Sequence, residues 1–215
     1  MNGMIPTGAR ELMEQGLDAL AIDAPSGAAE RLLRYVAEIE RWNPALGLVK
    51  ATGAELVVRH VLDSLAGLPA FSCLPGGARV IDVGSGAGFP GVPLAVARPE
   101  LAVVLLDRSS KRTTFLEHCV ELLGLANAEV FCGEARSFSG AADAVTFRAV
   151  SPLSPAFLRS SGIVELAPLV VAYKGTAEHA RAELEAVRGL YRSGDVVRVS
   201  VPFLEGERTL VVLRR

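Results

Sequence analysis

The chain has 215 residues, half of them hydrophobic and 21% charged, enough for one sizeable core and unlike either a disordered chain or a highly charged coiled coil. Its 22 basic residues stand against 24 acidic ones, a net charge of −2, so the overall balance does not draw it to nucleic acid and any RNA contact must be local. No apolar run approaches the roughly 18 residues of a membrane span, and Arg10, Glu11, Glu14 and Asp18 interrupt residues 1–20 where a signal peptide would be apolar. A soluble, cytoplasmic monomer is expected, with no membrane partner.

The first seventy residues read as helices over 9–20, about 28–42 and 54–68, with Leu32, Leu33, Val36 and Ile39 at helical spacing in the second. Ser26, ahead of Glu30, supplies a start signal for that helix. From Pro75 the texture changes to seven short aliphatic runs, at 79–83, 102–106, 128–131, 144–147, 169–172, 196–201 and 210–213. Helical stretches such as 112–123 and 178–190 separate them, which predicts a mostly parallel sheet covered on both faces, an α/β doubly wound architecture. The last two runs, joined through Glu205-Gly206-Glu207, read as an antiparallel hairpin at the end of the sheet. Residues 1–70 form a helical N-terminal extension on this reading, and 71–215 the ligand-binding domain. Cys73, Cys119 and Cys132 are isolated and odd in number, so neither a disulfide framework nor a metal site is indicated and buried or semi-buried free thiols are expected.

The strongest local signal is Val80-Ile-Asp-Val-Gly-Ser-Gly-Ala-Gly-Phe-Pro-Gly91, a buried strand running into Gly84, Gly86 and Gly88, with Pro90 where a helix can begin. Such a turn lets a ligand approach backbone without a Cβ in the way. The second strand ends in Asp107, placed to accept both hydroxyl hydrogens of a ribose. A nucleoside-bearing cofactor follows. The dinucleotide fingerprint needs glycine at position 89, which is Phe89, and this opposes a nicotinamide-dependent oxidoreductase. S-adenosylmethionine has no phosphate and needs only a roomy turn, so the spacing favours the methyl donor.

Arg108, Lys111 and Arg112 cluster after the second strand, where they either hold RNA phosphates or form a solvated helix start. Arg136 and Arg148 follow the third and fourth strands and are expected to face RNA or acidic neighbours such as Glu134. Lys174 follows the fifth, and both RNA phosphate binding and a capping role are open to it. His60 and Asp63, three apart, share one helical face as a hydrogen-bonded pair that either serves the active site or pins the helix. Trp42 reads as a core anchor, His118 and His179 as surface residues.

The string Asp82 to Gly91, followed by Leu105-Leu-Asp-Arg-Ser-Ser-Lys-Arg112 and Phe115-Leu116, resembles the glucose-inhibited division protein B family, bacterial methyltransferases of small-subunit ribosomal RNA (RsmG type). Trp42-Asn43, Arg59-His60, Leu62-Asp63-Ser64, Arg148-Ala149, Tyr173-Lys174-Gly175 and Gly206-Glu207-Arg208 extend the resemblance from about residue 28 to the C-terminus. It implies the seven-stranded class I (Rossmann-like) S-adenosylmethionine-dependent methyltransferase fold with a helical N-terminal part. It also implies N7 of one guanosine in 16S rRNA as acceptor, with ribosomal RNA or the ribosomal subunit as partner. Cofactor contacts are implied at Gly84, Phe89, Ala135, Arg136 and Arg148, and a functional role for His60 and Asp63. These two are positioning candidates, since N7 already carries a lone pair and needs no general base. An RNA-binding or assembly factor that keeps the pocket without turnover is the rival reading. One departure stands out: where the family carries Asn-Leu-Thr, this chain has Gly47-Leu48-Val49, and the hydrogen bonds of the Asn and Thr side chains must be absent or supplied elsewhere.

Overall fold

The computed structural model describes residues 8–215. Helices come first: α1 (Ala9–Ala19) and α2 (Ala28–Leu46), then a continuous helical path of α3 (Gly53–Leu56), a π-helical stretch (Val57–Leu62) and α4 (Asp63–Leu65). Ser26 does not cap α2; Gly27 holds the N-cap at φ 78°, and no side chain bonds the first turn. The helix also outruns Trp42. Its last turn tolerates Pro44, and Gly47, at φ 58°, closes it by donating to the Asn43 carbonyl at 2.8 Å. The helix expected over 54–68 stops at Leu65, and a 3-10 turn (Leu68–Phe71) follows. Pro69 has no backbone donor to extend it, and a Cβ on Gly67 would collide with the ring of Tyr173.

All seven expected runs are strands: β1 (Arg79–Val83), β2 (Ala102–Asp107), β3 (Ala128–Cys132), β4 (Ala144–Arg148), β5 (Leu169–Lys174), β6 (Ser193–Val199) and β7 (Arg208–Arg214). They form one sheet in the order β3-β2-β1-β4-β5-β7-β6. The first five are parallel, and β7 runs antiparallel to both β5 and β6. β6 is displaced toward the N-terminus from its expected 196–201, because the aliphatic run marks only its second half.

Successive strand residues point to opposite faces, so Val80, Val103 and Leu105 join one apolar cluster while Ile81, Val104 and Leu106 join the other. The first cluster is shared with α1, α2, α5 (Gly91–Ala97) and α6 (Ser110–Leu123). The second is covered by α7 (Pro155–Ser160), α8 (Ile163–Leu166) and α9 (Ala177–Val187). Both faces being buried explains why β1, β2 and β5 read as continuous apolar runs. Strand order reverses at β1, between β2 and β4, so the crevice for a ligand lies beyond the carboxyl ends of these strands. Cys119 is buried as expected, whereas Cys73 and Cys132 are exposed, contrary to the expectation for those two.

Candidate active site

The glycine turn is pinned from both sides. Gly84 and Ser85 donate to the Leu106 carbonyl at 2.7 and 3.0 Å, and Gly86 donates to Asp107 Oδ2 at 2.9 Å. From the helical side, the buried Tyr35 hydroxyl donates to the Ala87 carbonyl. Gly84 has φ 69°, and a Cβ there would lie 2.7 Å from Val150 Cγ2, so glycine is the residue this turn favours. Beyond the turn opens a cavity of about 510 Å³, lined by Gly84, Asp107, Arg108, Ala135, Arg136 and the loop carrying Val150 and Ser151. That volume suits a cofactor-sized molecule. Asp107 is 2% exposed; its oxygens accept from Gly86 and Ser109 backbone, the latter at 2.9 Å, and each keeps a second lone pair. Asp82, also buried, accepts through Oδ2 from the Gly91 N–H at 2.9 Å, while its Oδ1 has no partner among the described residues and the side chain lines neither cavity. Burial pushes this carboxyl up to about 7, against the pull of its bond from the Gly91 N–H.

A second cavity, about 690 Å³, adjoins the first and shares Val150 and Ser151 with it. Arg148, at the end of β4, is its organising residue. The guanidinium reaches Asp63 Oδ2 at 2.8 Å, the Arg59 carbonyl at 3.3 Å and His60 Nδ1, and its Cζ lies 4.9 Å from the centroid of the Phe89 ring. Asp63 gives its other oxygen to Arg208 Nε at 3.1 Å. His60 and Asp63 are therefore not bonded to each other; Arg148 joins them. A guanidinium can only donate, so Nδ1 of His60 accepts and the proton of the neutral ring sits on Nε2. Burial, then the charges of Arg148, Arg59 and Arg208, lower the His60 pKa to about 4. The imidazole stacks on Phe89 at 5.1 Å, and the π-helical stretch carries it to the cleft wall, a deviation common at functional sites.

The family model described as rRNA small subunit methyltransferase G (GidB) matches residues 28–211. This chain belongs to that family. Over 208 residues it is 34% identical to a protein of that name from Neisseria meningitidis, covering 96% of this chain and 98% of the relative. Another from Chromobacterium violaceum is 38% identical over 202 residues, covering 93% and 94%. A solved S-adenosylmethionine-dependent methyltransferase from Aquifex aeolicus superposes with a TM-score of 0.54 at 20% identity, over 74% of this chain and 92% of that one. That last likeness shows the seven-stranded methyltransferase fold.

Within this family member the sequence-derived candidates divide. Gly84, Asp107, Ala135 and Arg136 line the first cavity together, with Arg136 bonded to Glu134 at 2.6 Å as expected. Gly86 and Gly88 serve the turn itself; a Cβ on Gly88 would lie 2.7 Å from the Tyr35 hydroxyl. Phe89 is 4% exposed and buttresses His60 and Arg148 instead of lining the first cavity, and Arg148 lines the second. Arg108 and Lys111 are exposed, and Arg112 stands 3.7 Å from Asp107. Lys174 is no free cation: Nζ lies 2.6 Å from Glu183 Oε2 and donates to the Ser151 carbonyl at 3.3 Å. Glu183 also accepts from the Leu153 N–H at 2.9 Å, so this pair clamps the loop shared by both cavities.

Sequence reasoning missed Arg208 as a site residue, although its motif was noticed, and it missed Glu183 and Val150 entirely. His118 is no bystander: Nε2 lies 2.8 Å from the buried Glu38, which also accepts from Trp42 Nε1 at 3.2 Å. Trp42 packs against the core there, its ring centroid 5.8 Å from Phe115. His179 is exposed. The Asn-Leu-Thr departure is harmless to the loop, because the Asn43 side chain brackets Val49, donating to its carbonyl at 2.8 Å and accepting from its N–H at 3.0 Å. Gly47 takes the left-handed conformation that Asn also tolerates.

Proposed function

We propose that this chain, a small-subunit rRNA methyltransferase by family, transfers the methyl group of S-adenosylmethionine to N7 of a guanosine in 16S rRNA. One observation carries this reading: two ligand-sized cavities meet at Val150 and Ser151, one walled by the glycine turn and Asp107, the other by His60, Arg148 and Arg208. When bound, the cofactor supplies an activated methyl group. Gly84 gives it backbone clearance, Asp107 offers acceptors to the ribose, and Ala135 and Arg136 close the pocket beside it.

In the second cavity the neutral His60 presents Nε2–H, a donor for an acceptor atom on the edge of a purine. Arg148 is paired with Asp63 and fixes the imidazole; it acts as a positioning residue. N7 attacks with its own lone pair, so orientation of two bound reactants supplies the catalysis and no residue has to remove a proton. Arg108 lines the cofactor cavity, and with Lys111 and Arg112, which follow it along the chain, holds substrate phosphates. Asp107→Ala should lose about 1.5–3 kcal/mol of cofactor binding, roughly ten- to a hundredfold in Kd by calorimetry. Mapping methylated positions in ribosomal RNA with and without the gene identifies the target. NAD bound more tightly than S-adenosylmethionine, or an unchanged methylation map, would refute the proposal; cofactor binding without turnover would favour an assembly factor.

A further inference from the structure

Phe203 stands in the loop between β6 and β7, 52% exposed and with its backbone at φ 63°. A bulky residue in the left-handed region is strained, and here the strain is accepted without burying the ring. The flanks hold the loop: Val201 is buried, Leu204 packs against the core, and Leu204 N–H donates to the Val201 carbonyl at 3.2 Å. The phenyl ring is thereby projected over a cavity of about 410 Å³ that Val58, Arg59, Glu55 and Glu205 also line. Arg59 lines the acceptor cleft as well, so one residue borders both spaces. Its guanidinium is tethered to Glu55 at 2.8 Å, and its carbonyl accepts from Arg148.

We infer that Phe203 and Arg59 form a stacking subsite for an unpaired RNA base next to the guanosine held in the cleft. The inference rests on the reading of the cleft given above and adds a second nucleotide to it. An exposed phenyl face and an exposed guanidinium plane are the two surfaces on which splayed RNA bases stack. Glu55 and Glu205 can only accept hydrogen bonds and repel phosphate, so this space takes a base bearing N–H donors and leaves the RNA backbone outside. A single exposed ring in a small cavity is too little apolar surface to serve a protein partner.

The test uses the full chain, with small ribosomal subunits lacking the modification as substrate. Phe203→Ala should raise KM for the subunit about tenfold, leaving kcat and the affinity for S-adenosylmethionine unchanged, and Phe203→Trp should restore the wild-type KM. Phe203→Gly separates stability from recognition: glycine relieves the backbone strain, so this variant should melt above Phe203→Ala and still show the raised KM. A wild-type KM in Phe203→Gly or Phe203→Ala overturns the subsite, as does a loss confined to kcat or cofactor affinity. If the wild-type protein itself transfers no methyl group to subunits, the reading of the cleft falls and the subsite with it. Transfer by the wild type, equalled by every variant, overturns the subsite alone.

Discussion

Replacing Arg148 with alanine removes one of the residues that join the helical part of the molecule to the sheet at the cleft. Its side chain and that of Asp63 are 16% and 7% exposed, and breaking a buried ion pair from one side costs about 3–5 kcal/mol because a carboxylate is left without its partner. Asp63 keeps Arg208, itself 27% exposed, so the loss should fall at about 2–3 kcal/mol. For a chain of this length that lowers Tm by about 5–10 °C. Removing Asp63 as well should recover part of the cost, so the double variant Arg148→Ala/Asp63→Ala is expected to be more stable than the sum of the two singles implies. Urea denaturation followed by the single tryptophan measures both. NMR titration of His60 supplies an independent readout: burial is the leading cause of its low pKa, so in Arg148→Ala the value should rise from about 4 and remain below 6.5. A destabilisation under about 0.5 kcal/mol, the scale of a surface change, or strictly additive singles, would refute the hub.

Gly84→Ala places a methyl group 2.7 Å from Val150 Cγ2 at φ 69°, so cofactor affinity measured by calorimetry should fall more than about tenfold, roughly 1.4 kcal/mol. Lys174→Ala should slow transfer by loosening the loop held through Ser151 and Glu183 while leaving the salt dependence of RNA binding intact, whereas Arg108→Ala and Lys111→Ala should each flatten that slope by about one unit. His60, with a folded pKa of about 4 against 6.5, contributes no pH dependence above 6.5. As pH falls from 6.5 towards 4 the unfolded chain takes up a proton that the folded chain refuses, so stability declines over that window, and His60→Gln should abolish this part of the slope. The single-turnover transfer rate should stay level through pH 6.5 and survive better in His60→Gln than in His60→Ala; a tenfold loss per unit below 6.5 that disappears with the imidazole would make His60 a base.

What the sequence disclosed and what it hid have separate physical origins. The sheet was legible because both its faces are buried, which turns each central strand into an unbroken apolar run, and because Gly84 and Asp107 sit at strand ends where spacing along the chain is spacing in space. Asp63 was noticed, yet its partners Arg148 and Arg208 lie on β4 and β7, and a pairing across 85 residues leaves no local pattern. The helical three-residue spacing of His60 and Asp63 suggested a direct pair; the π-helical stretch and the intervening guanidinium overrode it. Lys174 looked like a phosphate ligand from its place at a strand end, and only packing of α9 brings Glu183 against it. Ser26 failed as a cap because Gly27 reaches the left-handed conformation that starts α2, a competition that composition does not resolve.

The first seventy residues cannot be treated as an accessory to a self-sufficient methyltransferase. They bury one face of the sheet layer: Val80, Val92, Val96, Leu105, Phe115 and Leu116, each 0% exposed, share one cluster with Leu32, Leu33, Val57 and Leu62. They also reach into the site, for Tyr35 holds the glycine turn, Ser64 receives the Tyr173 hydroxyl at 2.7 Å, and Asp63 supplies the carboxylate that Arg148 and Arg208 share. A fragment beginning at residue 71 would expose that apolar face and leave two guanidiniums facing each other without their counter-charge, a repulsion added to the lost burial. It should therefore behave as an expanded, dye-binding state without measurable affinity for S-adenosylmethionine. If the fragment instead unfolds cooperatively and binds the cofactor as the whole chain does, the coupling between helical extension and site argued from these contacts is wrong.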